Sequence, residues 1–280
     1  MKRWIAALLT GAMLLCLCAC ELIPGSSREP IPEPTKQAAE TTAGQQEASA
    51  EATDPEETEP DTTVGEIHAF AETAVYETLD FQGETYTYRI PKIVCDTPGI
   101  EAINSEIYDL YYSEIYLTDV QGALEEYGMP GLCSIDYTWG VKGDYLSVVV
   151  CILPYASSGA NFGVYNVNLR EGRRATDEEL TAAFGFGTEA FYARAKDVMG
   201  SYYFDNLYPN TPEDMMWDFD AALARTIEES NVREAMPYVG EDGNLWMIAE
   251  IGSFAGADYY PEAVPFETYQ VSDAYLNYLP

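Results

Sequence analysis

The chain has 280 residues and carries 47 Asp and Glu against 14 Lys and Arg, a formal net charge of −33. That balance excludes a nucleic-acid binder, whose affinity rests on a basic footprint. It also opposes contact between the folded part and an anionic leaflet, and favours a basic partner, which would be steered in. Solubility alone would also account for the acid excess.

Met1-Lys2-Arg3 and the apolar run Trp4 to Leu17 read as the positive and apolar regions of an export signal. The run falls short of the roughly 20 apolar residues of a membrane span, and no later stretch approaches that length. Leu17-Cys18-Ala19-Cys20 resembles the lipobox of bacterial lipoproteins. The resemblance implies that residues 1–19 are removed and that Cys20 receives a diacylglyceryl group. Two acyl chains give a stable anchor where one is reversible. The expected location is therefore the extracytoplasmic face of a bacterial cell membrane, with the anchor as the contact to lipid.

Residues 20–66 are rich in Glu, Thr, Ala, Pro, Ser and Gln and contain no aromatic residue. Such a composition cannot bury enough apolar surface to offset chain entropy, which predicts a disordered acidic tether. Random-coil scaling gives it a reach of about 40 Å. Setting aside Lys2, Arg3 and the 12 acids and 2 bases of 21–66, residues 67–280 keep 35 acids against 10 bases. These 214 residues suffice for one α+β domain and admit a division into 67–158 and 159–280.

"VYETLDFQGETYTYRIPKIV" (75–94) predicts two strands turning at Gln82-Gly83, because apolar and polar residues alternate from Thr85 to Ile90. Ile100, Ile103, Ile107, Leu110 and Tyr111 recur at helical spacing and predict an amphipathic helix over 97–115. Residues 132–158 read as a hairpin turning at Lys142-Gly143-Asp144. Cys133 and Cys151 lie nine residues either side of Lys142. A three-residue loop would set them opposite for a disulfide and a two-residue loop would not; buried thiols are the alternative. With Cys95 the exported chain has an odd count of folded cysteines.

Val164, Tyr165, Val167 and Leu169 predict the next strand, and Thr176 with Glu179 a capping box. Helical spacing runs over 188–204 and 211–230, with Thr211 as N-cap and Pro212 in the first turn. A last hairpin turns at Asp242-Gly243. The expected fold is α+β: antiparallel sheets, an amphipathic helix after the first hairpin, and two to three helices before the last.

The stretches "IPKIVCDTPGIEAINSEI", "LSVVVCILPYASSGANFGVYNVNLREGRRATDEEL" and "PYVGEDGNLWMIAEIGSFAGADYY" resemble the extracellular region of the anti-sigma-V factor family. Related domains precede the catalytic part of some peptidoglycan deacetylases and recur in bacterial lipoproteins of unknown function. The likeness spans about residues 72–278. At the position of a family motif ending in histidine, this chain has Tyr155-Ala156-Ser157-Ser158-Gly159-Ala160-Asn161, so Asn161 replaces the imidazole. The best-known relatives bind lysozyme. That resemblance implies binding of a basic protein here, with Tyr155, Gly159 and Asn161 as candidate contacts.

The single histidine, His68, lies at the end of the tether, away from any nucleophile a Ser/His/Asp or Cys/His site would need. No cofactor is expected, and histidine zinc sites are excluded; an acidic loop leaves calcium open, although no EF-hand spacing appears. Asp218 and Asp220, or Glu228 and Glu229, could supply a glycosidase pair, but a helical segment displays such pairs as a solvated face. Asp258-Tyr259-Tyr260, after the Gly-rich 252–257, suits either an exposed recognition site or a set of packed strand tyrosines. The leading expectation is a non-enzymatic, lipid-anchored extracellular binding protein for a basic partner such as lysozyme. The alternatives are a cell-wall glycan-binding module, a carboxylate-dependent hydrolase, or a structural component of the envelope.

Overall fold

A computed structural model describes residues 67–155, 159–253 and 259–279. The export signal, Cys20, the tether, Ala156, Ser157, Ser158 and Asp258 lie outside the described residues. Residues from Glu66 onward form one unit.

Strands β1 (Phe70–Phe81) and β2 (Glu84–Val94) form the expected hairpin. Its two loop residues, Gln82 and Gly83, both take positive φ (54° and 90°), which the right-handed twist of the flanking strands demands. The connection 95–131 holds α1 (Ile100–Tyr108), a π-helical segment (Asp109–Gly122) and α2 (Ala123–Tyr127). The change of winding shows in the inward-facing residues. Ile100, Ile103 and Ile107 step by three and four, whereas Tyr111, Tyr116 and Val120 step by five and four.

β3 (Leu132–Lys142) then pairs with β2 in parallel, through Thr87–Ser134 and Tyr88–Ile135. This corrects the expectation of purely antiparallel sheets. A helical crossover returns the chain to the same end of the sheet, so the next strand runs alongside its predecessor. β4 (Tyr145–Pro154), β5 (Asn161–Asn168) and β6 (Arg173–Arg174) complete a six-stranded sheet ordered β1-β2-β3-β4-β5-β6. β4 pairs with β5 over its length, so a division after residue 158 would separate paired strands.

The β3–β4 turn has two residues, Gly143 and Asp144, with Gly143 at φ 56°. The register therefore sets Cys151 opposite Asp136, and Cys133 falls at the irregularity between Leu132 and Ser134. No disulfide joins Cys133 and Cys151.

Four helices precede the last hairpin, one more than the upper expectation: α3 (Asp177–Ala183), α4 (Thr188–Leu207), α5 (Met216–Thr226) and α6 (Glu229–Val232). Thr176 and Glu179 form the capping box, with Oγ1 accepting from Glu179 N at 3.2 Å and the carboxylate from Thr176 N at 2.8 Å. α5 starts later than the spacing suggests. Pro209 and Pro212 donate no backbone hydrogen bond, and the chain between α4 and α5 makes two 3₁₀ turns instead. The Thr211 hydroxyl donates to the Leu207 carbonyl at 2.7 Å rather than capping α5.

β7 (Met236–Val239) and β8 (Leu245–Gly252) are the last expected strands, but β9 (Tyr259–Val264) adds a third, and α7 (Asp273–Tyr278) follows. Three clusters of buried side chains stack the elements. Ile100, Ile103, Ile107, Tyr111 and Tyr116 meet one face of the large sheet at Tyr88, Ile135, Val148 and Tyr165. α4 and α5 cover the outer face of the small sheet, with Phe191, Val198, Tyr203 and Phe219 on Leu245, Met247 and Ile251. Val149, Tyr238 and Ile248 fill the space between the sheets, with Phe162, Val164 and Trp246 packed around them. The order is helix, sheet, sheet, helices.

β7 packs across β3, β4 and β5, and polar groups join the two sheets there. Ser147 Oγ accepts from Val239 N at 2.8 Å and donates to Asn166 Oδ1 at 2.6 Å, while Asn166 Nδ2 donates to the Pro237 carbonyl at 2.8 Å. Among the described residues no helix is long and apolar enough to cross a membrane.

Candidate functional site

The residues singled out from the sequence separate into two groups. Tyr155 follows β4 in a turn and sets its ring edge-on to Phe81 and Tyr86, 6.1 and 6.4 Å between centroids. Asn161 opens β5, exposed, opposite Ile152. Gly159 faces Tyr260: a methyl group added at Gly159 would sit 3.0 Å from Tyr260 Cδ1. Two segments chosen on unrelated grounds thus come together. Tyr259 and Tyr260 are paired strand residues, opposite Gly252 and Ile251, Tyr259 half-buried and Tyr260 exposed.

The acidic pairs do not line the cleft described below. Asp218, Asp220, Glu228 and Glu229 are exposed on or beside α5 and α6. Asp220 accepts from the Tyr278 hydroxyl, and Glu229 pairs with Arg233 at 3.2 Å. His68 is exposed ahead of β1. Among the described residues no group of three or more His, Cys, Asp and Glu is placed to hold a metal.

A cleft of about 450 Å³ lies elsewhere, between β1 and the helical crossover. Glu77, Thr78 and Leu79 line one side, and Tyr116, Val120, Gln121, Leu124 and Glu125 the other. It joins an apolar floor to two carboxylates. Gln121 Nε2 donates to Tyr116 Oη at 3.2 Å and fixes that ring at the cleft wall. Burial raises the Tyr116 phenol above its ordinary value; the bond from Gln121 opposes this and the nearby Glu77 charge adds to it. The hydroxyl stays protonated and neutral.

From this wall a ladder of rings runs to the surface. Tyr116 stacks on Tyr112 at 5.5 Å with 16° between planes, and Tyr112 lies 5.0 Å from Tyr108. On the inner side Tyr116 packs 5.1 Å from Tyr88, whose hydroxyl donates to the Leu132 carbonyl at 3.0 Å. The helical spacing of 108, 112 and 116 holds the rings one above another.

Charge reinforces the arrangement. Residues 95–131 contain eight Asp and Glu and no Lys, Arg or His, and β1 adds Glu72, Glu77 and Asp80. Six of the ten bases of 67–280 are held in ion pairs: Arg89, Lys92, Arg170, Arg173, Arg174 and Arg233. Two more donate to backbone carbonyls, Arg194 to those of Phe266, Glu267 and Tyr269 and Arg225 to that of Ser253. Eight of the ten bases thus have internal partners, and the surface charge of 67–280 is dominated by carboxylates.

Sequence reasoning missed this cleft. The signals that mark it are the run of acids without a base in 95–131 and the tyrosines at 108, 112 and 116. Against known proteins, the chain matches no protein-family model, and no curated protein matches it significantly.

Proposed function

We propose that this chain is a lipid-anchored extracellular binding protein that takes a cationic partner on the acidic, aromatic surface around the β1–crossover cleft. The observation that carries the reading is the commitment of eight of ten folded bases to internal partners, beside a cleft with Glu77 and Glu125 at its rim. Single exposed ion pairs contribute only about 0.2–1 kcal/mol each. The carboxylates therefore act chiefly by speeding encounter and excluding anionic partners, and burial against the tyrosines supplies affinity. The resemblance to the anti-sigma-V factor family makes lysozyme the first partner to test. Cys20, by its lipobox resemblance, is the anchor.

The test is binding of the full chain to immobilised lysozyme at increasing salt. The expected dissociation constant rises at least tenfold between 50 and 300 mM NaCl, and Glu77→Gln with Glu125→Gln weakens binding at low salt. Lysozyme and other cationic wall-active proteins all failing to bind at 50 mM would overturn the reading.

The exposed edge of the tyrosine ladder supports a second reading, stacking on wall glycan, since Tyr108 is 42% exposed beside Tyr112. Binding of soluble peptidoglycan fragments that is indifferent to salt and lost in Tyr108→Ala would favour it.

A further inference from the structure

β1 is an edge strand of 12 residues, and among the described residues no strand pairs with its outer side. At about 3.4 Å per residue it offers roughly 40 Å of open edge. Alternate residues of such a strand turn backbone N–H and C=O groups outward, a ready template for another strand. Edges are usually blunted by Lys or Pro. FAETAVYETLDF has neither; its one irregularity is the register shift between Thr73 and Val75. What it carries is Glu72, Glu77 and Asp80, with Tyr76 62% exposed.

The cleft adjoins this edge. Three consecutive β1 residues, Glu77, Thr78 and Leu79, touch it, although their side chains alternate between faces, so the cleft borders the strand backbone itself. From the facing wall Glu125 adds a second carboxylate over the apolar floor of Val120 and Leu124. An aliphatic stem ending in a cation fits that lining, the stem on the floor and the charge at the rim.

We infer that the partner binds by strand addition: an extended segment bearing Lys or Arg at alternate positions pairs with the outer edge of β1 and sets a basic side chain into the cleft. This rests on the cationic-partner reading above and gives it a mode. Main-chain hydrogen bonds supply affinity and the cleft supplies side-chain selection. The carboxylates also determine the occupant. Glu72 is paired with Lys92, but a second copy of the chain would still bring Glu77 and Asp80 of one β1 toward those of another, and like charges facing across strands repel. A cationic strand meets no such opposition.

The test uses the full chain and a ten-residue peptide alternating Lys and Val, measured by titration at 50 mM NaCl. Two derivatives are N-methylated, one at all odd and one at all even positions, which blocks hydrogen bonding along one edge only. The expected result is one derivative within twofold of the parent and the other at least tenfold weaker. Glu77→Lys should weaken the parent at least tenfold, with circular dichroism unchanged. If both derivatives bind alike while the parent binds, strand addition is wrong and the cationic-partner reading stands. If the parent and lysozyme both fail to bind, the wider reading fails with it. A sedimentation profile showing a dimer lost on Glu77→Lys would assign the edge to a second copy and overturn the inference.

Discussion

Gly140 of β3 and Gly240 after β7 meet backbone to backbone across the two sheets. A Cβ on Gly140 would overlap the Gly240 carbonyl and stand 2.6 Å from that of Val239. Glycine is needed here for close approach, and Gly140 does not appear among the residues with positive φ. Both obstructing atoms are backbone, so no side-chain rotation relieves the contact. Gly140→Ala should therefore cost about 3 kcal/mol, at the upper end of overpacking changes. Urea unfolding of the full chain reads this as a lower midpoint at unchanged slope. A shift under 0.5 kcal/mol would show that the sheets separate easily at this point.

Ser147 stands directly opposite Gly140 in the β3–β4 ladder and makes the polar half of the same junction. Its hydroxyl serves Val239 N and Asn166 Oδ1, and all three lie out of water. Ser147→Ala leaves one donor and one acceptor unmatched, which should destabilise by about 2–3 kcal/mol. The accompanying Asn166→Ala should cost less in the Ser147→Ala background than alone, because Asn166 Oδ1 has already lost its partner. A double-mutant cycle gives the coupling directly. Additive effects would mean that water replaces the hydroxyl at the junction.

The elements that were legible in the sequence are those specified by local chemistry. The Gln82-Gly83 turn, the Thr176–Glu179 cap and the apolar run of β4 each depend on neighbours a few residues away. The parallel pairing of β2 with β3 was not legible, since only two residue pairs make it and its cause is a distant crossover. The π winding of 109–122 was hidden because Leu110 and Tyr111 continue the α-helical spacing of Ile103 and Ile107 before the period lengthens. β9 follows a Gly-rich stretch and begins with tyrosines that suit a loop or a strand equally. As for the site, the acidity and the tyrosines were visible, but only the fold sets β1 beside the crossover. Gly159 and Tyr260, a hundred residues apart, could be matched only in space.

Cys151 lies on β4 opposite Asp136, and burial, with a smaller contribution from the Asp136 charge, pushes its thiol up to about 11. The thiolate is the reactive form, so at pH 8 Cys151 should alkylate roughly a hundredfold more slowly than a thiol of ordinary pKa 9. Timed iodoacetamide labelling of the native chain, with peptide mapping, measures the rate. Urea should abolish the protection. Rapid native labelling would show that β4 opens locally.

The pH dependence of stability should be inverted from the common pattern over the mildly acid range. Burial raises the carboxyls of Asp177, Glu250 and Glu262 above their ordinary values, although Asn166 opposes this at Asp177 and Tyr202 at Glu262. Between the unfolded value, about 4.5 for Glu, and the raised folded value, the native state binds more protons than the unfolded one. Stability therefore falls as pH rises through that window and increases on mild acidification. Relief of self-repulsion in a domain with 35 acids and 10 bases acts in the same direction. The opposing groups are Glu179, which Arg173 and the Thr176 amide hold down to about 2, and Asp242. Burial acts upward on Asp242, but bonds from Asn244 and Trp246 prevail and lower it. Their contribution is present above the unfolded values near 4 and is lost as pH falls toward 2. The urea midpoint should accordingly rise as pH falls from neutrality toward the unfolded carboxyl values and decline below about 4. Glu262→Gln should flatten the rise without moving the acid limb. A midpoint that instead falls as pH is lowered from neutrality toward the unfolded carboxyl values would show that neither the buried carboxyls nor the net charge governs stability there.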